Sequence, residues 1–195
     1  MNDFKILSRA EKLAEIGKCN FRRGEFVLVE EYMLALADDN RAVIEEYESF
    51  GDRPRQIIEN KAKYEKGLSV YGFTEKRFRK YGWLSEAEFL DREEIVFGVN
   101  GRVRGINSVQ LGRGPNGKWT YGIHLTTAKS GRVSGLSVYG QPFASRNGCL
   151  KNALDYFIQW HERENDKQSG PALREAKDML DTLTGRKAVQ MSLFG

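Results

Sequence analysis

The chain of 195 residues has only two cysteines and two histidines, and no long apolar run. Cys19 and Cys149 are far apart and belong to no Cys/His cluster, so a zinc site or a disulfide framework lacks ligands. No stretch approaches the ~18 consecutive apolar residues of a transmembrane helix, and none near Met1 is typical of a secretory signal. We therefore expect a reduced, cytoplasmic protein without a membrane partner, a metal or a cofactor.

Acidic residues are missing from one long stretch, residues 95–154, which contains eight basic side chains. The whole chain has 31 basic and 27 acidic residues, so the rest of the sequence is net acidic. Such an asymmetry is typical of a module that meets an anion, and nucleic acid is the usual anion for a cytoplasmic protein. The alternative is a glycine-rich sheet whose lysines and arginines keep it soluble and protect its edges.

Apolar residues recur at three- and four-residue steps up to about Leu90, which predicts helices, with Asp39 or Asn40 and Pro54 as helix starts and Gly67 as a stop. From Glu94 onward, apolar residues recur at every second position, which is typical of strands. Trp119–Thr126 alternates apolar and polar residues, and Asn100-Gly101 is typical of a tight hairpin. Strands are also expected near Ile95–Val99, at 102–111 and at 132–139. Ser145 is a candidate cap for a helix that covers the sheet.

These patterns predict an α+β fold with a helical N-terminal half and an antiparallel sheet of three to four strands packed on a C-terminal helix. We expect a helical region at 1–92, the sheet and its covering helix at 93–166, a C-terminal helix at 167–185 and an exposed tail at 186–195. Short connections between the strands favour a meander.

The tail ends in Gln190-Met191-Ser192-Leu193-Phe194-Gly195. This segment resembles the short peptide by which bacterial polymerases, mismatch-repair proteins and many phage or plasmid proteins attach to the replication sliding clamp. The resemblance implies that Leu193 and Phe194 enter an apolar pocket on the clamp, that Met191 packs beside them and that Gln190 hydrogen-bonds at the rim. The alternative is a tail that folds its Leu and Phe back onto its own core.

The sheet module carries Gly117-Lys118-Trp119, two strands, and then Phe143-Ala144-Ser145 before a helix. This order is similar to that of the sheet-reading DNA-binding domains of the plant AP2 and phage-integrase arm-binding type, over roughly fifty residues. It departs from them at Arg146-Asn147-Gly148, where an acidic pair commonly stands, so the likeness is one of fold. The double-stranded RNA-binding αβββα arrangement is a second topological neighbour.

If the sheet binds nucleic acid, with DNA favoured over RNA, side chains on its exposed face and at its turns are the candidates. Arg102, Arg104 and Gln110 are expected on one face with Ser108, and Thr120 and His124 on the solvent side of the next strand. Arginine and glutamine can read base edges, and turn lysines grip phosphates. The candidate nucleic-acid-binding residues are Arg102, Arg104, Gln110, Arg113, Lys118, His124, Lys129 and Arg132.

The basic-aromatic stretch 67–83 has two interpretations. Such residues can hold a phosphate backbone and stack bases, and they can also dock a short helix, capped by Thr74, on the core. We favour docking.

No catalytic residue is assigned. The module expected to touch nucleic acid has no carboxylates for magnesium, and neither His124 nor His161 has a nucleophile nearby.

These observations favour a non-enzymatic DNA-metabolism accessory from a bacterium, phage or plasmid, which binds nucleic acid through its basic sheet and is tethered to the sliding clamp by its C-terminal peptide. One alternative is a phage- or plasmid-encoded inhibitor of host replication or defence that acts by protein–protein binding. Another is a small metal-dependent nuclease with carboxylates such as Glu93 or Glu94.

Overall fold

A computed structural model of the chain describes residues 4–98, 107–165 and 170–186, and all structural statements concern these residues. Within them the helices are α1 (Arg9–Gly17), α2 (Phe26–Ala37), α3 (Arg41–Glu48), α4 (Pro54–Tyr71), α5 (Arg146–Glu164) and α6 (Gly170–Leu183). The strands are β1 (Leu90–Phe97), β2 (Asn107–Arg113), β3 (Trp119–Thr126) and β4 (Gly131–Ser134). The predicted α+β class is confirmed.

The described chain divides into two compact units. The helical unit contains the chain up to Ser69 together with Phe73–Ala87, and the sheet unit contains Val70–Gly72 together with the chain from Glu88 onward. The helical unit has its own core, in which Tyr32 and Tyr47 stack with ring centroids 4.9 Å apart and are fully buried. Each unit thus buries enough apolar surface to have a separate core.

Local signals place most helix starts where the sequence predicts them. The Asn40 side chain accepts a hydrogen bond from the Val43 backbone N–H at the start of α3, and Pro54 opens α4. The expected stop at Gly67 is wrong, because α4 continues to Tyr71. The following residue, Gly72, has a φ of 79°, a left-handed conformation that suits glycine and ends a helix.

The sheet is an antiparallel meander with strand order β1-β2-β3-β4, and β3 has the bounds that its alternating pattern predicts. The helix α5 covers one face of the sheet. Its Leu154 and Phe157 pack with Val109, Leu111 and Leu125 in a cluster that is almost fully buried. The Ser145 side chain caps α5 by accepting from the Gly148 N–H at 3.1 Å, as predicted.

The opposite face of the sheet, which we call the outer face, is partly covered by the chain that follows β4. The predicted strand 132–139 ends at Ser134, and the chain then crosses over Gly122. Tyr71, Phe89 and Val138 are buried on this side, and the Tyr71 hydroxyl donates to the Gly140 carbonyl at 2.7 Å. The outer face is therefore closed near the β2–β3 turn.

None of the helices within the described part of the chain is both long and apolar enough to cross a membrane.

The crossing over Gly122 leads to a stability prediction. A Cβ at Gly122 would lie 2.6 Å from the Ser134 carbonyl oxygen and 2.8 Å from the Gly135 carbonyl carbon, so Gly122→Ala must displace backbone. We expect it to lower the free energy of unfolding by about 1–3 kcal/mol, measured by urea denaturation. Gly135→Ala is the matched control, because a Cβ there meets nothing within 4 Å. If the two variants are equally stable, the backbone after β4 does not pass this close to Gly122.

Candidate nucleic-acid interface

The acidic residues of β1 lie beside the basic residues of the acid-free stretch. In the register of β1 with β2, Glu94 pairs with Gln110 and Leu90 with Arg113. The Arg113 Nε lies 2.6 Å from an Asp91 carboxylate oxygen, an ion pair within the sheet unit. Arg113 is therefore already neutralised by a carboxylate, which lowers its value as a phosphate contact.

Glu93 and Arg146 form a second ion pair, on the α5 side of the sheet. The Arg146 Nε and Nη2 donate to the two Glu93 carboxylate oxygens at 2.7 and 2.5 Å. This two-point contact holds the pKa of Glu93 below its ordinary value and raises that of Arg146. Lys151 forms a single-point ion pair with Asp155 on α5, with its Nζ 2.7 Å from Asp155 Oδ2.

The open part of the outer face is a mixed acidic and apolar patch, which we call the Glu94 patch: Glu94, Val96, Gln110, His124 and Val133, around Ser108, which is fully buried and not exposed as expected. The register aligns Val96, Ser108, His124 and Val133 across the four strands. The Ser108 hydroxyl donates to Glu94 Oε1 at 2.8 Å, and the Gln110 amide nitrogen lies 3.4 Å from the same oxygen. Val133 is 69% exposed. This patch offers phosphate a carboxylate rather than a cation.

The structure also shows the positions of Thr120, which is expected on the solvent side of its strand, and of Arg132, which is expected beside a turn. Thr120 is fully buried rather than on the solvent side, because the chain crossing from β4 covers this end of the sheet. Arg132 pairs with Leu125 and so belongs to the α5 face, where its guanidinium carbon lies 5.4 Å from the Tyr156 ring centroid. Arg132 is exposed, but it is on the opposite face from Gln110 and His124.

Two exposed cations of the sheet unit, Lys118 and Lys129, lie at its turns. Lys118 is exposed in the β2–β3 turn, and Lys129 is exposed in the β3–β4 turn. The Thr127 hydroxyl oxygen accepts from the Lys129 and Ser130 backbone N–H groups at 3.2 and 3.0 Å, which fixes the backbone under Lys129. Ser130 in turn donates to a Glu164 carboxylate oxygen at 2.7 Å on α5. The β3–β4 turn therefore presents Lys129 on an ordered base.

Arg102, Arg104 and the Asn100-Gly101 hairpin lie in the β1–β2 connection, outside the described residues, as do Gln190, Met191, Leu193 and Phe194. The remaining candidates do not form one continuous surface. Gln110 and His124 share the Glu94 patch, whereas Arg113, Lys118, Lys129 and Arg132 lie at edges and turns. The sequence suggests Glu94 only as a possible metal ligand and not as the hydrogen-bond partner of Ser108 and Gln110, although Glu94 immediately precedes the acid-free stretch.

Carboxylates do not converge on a metal site in the described part of the chain. No group of three or more His, Cys, Asp or Glu side chains there could hold a metal ion. Glu93 and Glu94 are neighbours on a strand, so their side chains point to opposite faces of the sheet. His161 is buried between the Phe157 and Trp160 rings, with centroids 4.5 and 4.8 Å away. The nuclease alternative therefore gains no ligand cluster from these residues.

Comparisons of the chain with protein-family models, with curated proteins and with solved structures find no match.

The Glu93–Arg146 contact predicts a pH response. A lowered carboxyl pKa means that the pair stabilises the fold above the unfolded-state pKa of Glu93, and that this stabilisation is lost as the pH falls through the folded-state value. Arg146→Met should raise the Glu93 pKa toward its ordinary value in an NMR titration of the side-chain carboxyl. Lys151→Met, which removes a different ion pair of α5, should leave the Glu93 pKa unchanged. An unchanged Glu93 pKa in the Arg146→Met variant would show that Arg146 does not lower it.

Proposed function

We propose that the protein is a non-enzymatic, cytoplasmic accessory of DNA metabolism, encoded by a bacterium, phage or plasmid. Its C-terminal peptide holds it on the replication sliding clamp, and cations at the turns of its sheet unit contact nucleic acid. The observation that carries this proposal is Gln190-Met191-Ser192-Leu193-Phe194, in which every position fits the clamp-binding pattern.

The position of the peptide relative to α6 supports the clamp contact. The last described residue, Arg186, is exposed and follows the end of α6 at Leu183. The nine residues after it can span up to about 30 Å when extended, so Leu193 and Phe194 can reach a partner while α6 stays folded. Two large apolar side chains can each contribute about 1.5–3 kcal/mol when they are buried.

The nucleic-acid contact is electrostatic in this proposal. Lys118, Lys129 and Arg132 suit phosphate oxygens, which position a protein without reading sequence. The Glu94 patch does not suit base reading by Arg and Gln, since its polar side chains already bond to a carboxylate. Such contacts are weak alone, and attachment to a clamp that encircles DNA raises their effective concentration.

The Glu94 patch favours a second candidate function, inhibition of host replication or defence through protein–protein binding. Val96 and Val133 are exposed beside Glu94, and apolar side chains around a carboxylate suit a protein surface better than a phosphate backbone. This candidate requires clamp binding without DNA binding, whereas the leading proposal requires both.

The clamp contact can be tested with the full chain and a purified bacterial sliding clamp. Replacing Leu193 and Phe194 together by Ala should weaken binding, expected to be about micromolar, by more than about 100-fold, because both apolar anchors are lost. Isothermal titration calorimetry measures this change. Val189→Ala, outside the peptide, and Ser192→Ala, at the position that accepts a small residue, should bind as the unaltered chain does. Unchanged binding after the double replacement would exclude the peptide as the connector.

The turn cations predict the salt dependence of duplex DNA binding. Each of Lys118→Gln and Lys129→Gln should reduce the slope of log K against log salt concentration by about 0.9 and weaken binding uniformly across sequences. Fluorescence anisotropy at several salt concentrations measures the slope. Lys151→Gln is the matched control, since Asp155 already pairs with Lys151. If the affinity of the unaltered protein for DNA does not change with salt concentration, the turn lysines do not contact nucleic acid.

A further inference from the structure

The segment Arg77–Ser85 of the helical unit, which we call the aromatic loop, forms a hairpin-like turn and not the short helix expected after Thr74. Phe78 and Leu84 form an isolated antiparallel bridge, and the Arg79 backbone N–H donates to the Trp83 carbonyl at 2.8 Å. Gly82 has a φ of 76° at the tip. The turn spreads the aromatic side chains of this segment instead of aligning them on one helix face.

Two buried amides of α4 hold the backbone of the aromatic loop. Gln56 donates to the Tyr81 carbonyl at 2.7 Å and accepts from the Asp52 N–H at 3.2 Å. Asn60 donates to the Gly82 carbonyl at 2.8 Å and accepts from the Leu84 N–H at the same distance. A buried amide is stable only with such partners. The conformation of the loop tip is therefore set by α4.

The loop holds its aromatic rings in solvent. Tyr81 is 77% exposed and Trp83 is 41% exposed, and Phe78 is exposed to a similar degree. The docking interpretation requires these rings to be covered by the core, so it is wrong for Tyr81 in particular. Three exposed aromatic rings on an ordered loop are typical of a surface that binds a ligand.

A cleft of about 430 Å³ lies beside the loop, lined by Asp52, Arg53, Arg55, Gln56, Tyr81 and Trp83. Its carboxylate, Asp52, is paired with Lys5 at 2.7 Å, and Arg55 is paired with Glu59 at 2.6 Å. Among the described residues, no carboxylate forms an ion pair with Arg53 or with Lys80 at the loop tip. These two cations are therefore available to an anion.

We propose that the cleft and the aromatic loop bind single-stranded nucleic acid, with an unstacked base against Tyr81 and Trp83 and phosphates against Arg53 and Lys80. An aromatic ring accepts the face of any base, and arginine and lysine follow the backbone. The cleft volume lies in the usual range of ligand-binding clefts, and only an unpaired base can leave its stack to lie against the two rings. This inference rests on the proposed nucleic-acid function and specifies the form of nucleic acid.

Binding of a fluorescein-labelled DNA strand of about 15 nucleotides to the full chain tests the site. Trp83→Ala and Tyr81→Ala should each weaken binding by about 5- to 100-fold, because a stacked base is lost. Trp83→Phe should largely restore binding while removing the quenching of tryptophan fluorescence by the strand. Phe26→Ala, which truncates another exposed aromatic of the helical unit, should change neither.

Arg53→Ala should lower the salt slope for the single strand by about 0.7, and Arg41→Ala, an exposed arginine outside the cleft, should leave it unchanged. Circular dichroism of each variant checks the fold. Unchanged strand binding by folded Trp83→Ala would overturn the proposal. So would binding of adenosine monophosphate as tight as that of the strand, which would indicate a site for free nucleotides.

The same variants separate this site from the function proposed for the other unit. Trp83→Ala should spare duplex binding and clamp binding, whereas the Lys118, Lys129 and tail variants should spare the quenching of Trp83 by the single strand. Loss of clamp and duplex binding together with retained quenching would refute the clamp-tethered function and leave single-strand binding in place. If the protein binds the clamp and duplex DNA but not the single-stranded DNA, only the proposed binding site in the cleft is refuted.

Discussion

Antiparallel hydrogen bonding between β1 and β2 brings the acids of one strand beside the basic residues that follow them in sequence. Its register places Asp91 next to Arg113 and Glu94 next to Gln110, while Glu93 reaches Arg146 on the other face of the sheet. A stretch that is strongly basic in sequence is therefore much less basic in space. Among the described residues, Lys118 and Lys129 stay unpaired at the turns, where no neighbouring strand supplies a carboxylate, and Arg132 stays unpaired on the edge strand β4.

The outer face of the sheet is organised by small residues. Gly112 and Gly122 leave room for the Phe89 and Leu136 side chains and for the backbone after β4. Such glycines could equally have admitted a ligand, and here the chain's own backbone makes the close approach. What remains open is the Glu94 patch, whose composition suits protein surfaces. In our proposal, the nucleic-acid contacts of this unit therefore lie at its turns and at Arg132 on β4.

Periodicity and capping residues were enough to predict the fold class, the bounds of β3 and the starts of α3, α4 and α5, because these depend on neighbours within one turn or one strand. The burial of Thr120 and the side of the sheet taken by Arg132 could not be predicted, since both depend on where the chain goes after Ser134. The sequence predicts a short helix where the aromatic loop lies, for a related reason. The hydrogen bonds that shape the loop come from Gln56 and Asn60, more than twenty residues earlier.

Because Gln56 and Asn60 bind the loop through its carbonyl and N–H groups, the shape of the loop tip does not rely on which side chains it carries, apart from Gly82. Residues 78–81 and Trp83 can then diverge between relatives with little penalty to folding. Evolution, or a protein engineer, can exchange the chemistry displayed there while the supporting helix remains constant, much as antibody frameworks tolerate new hypervariable segments.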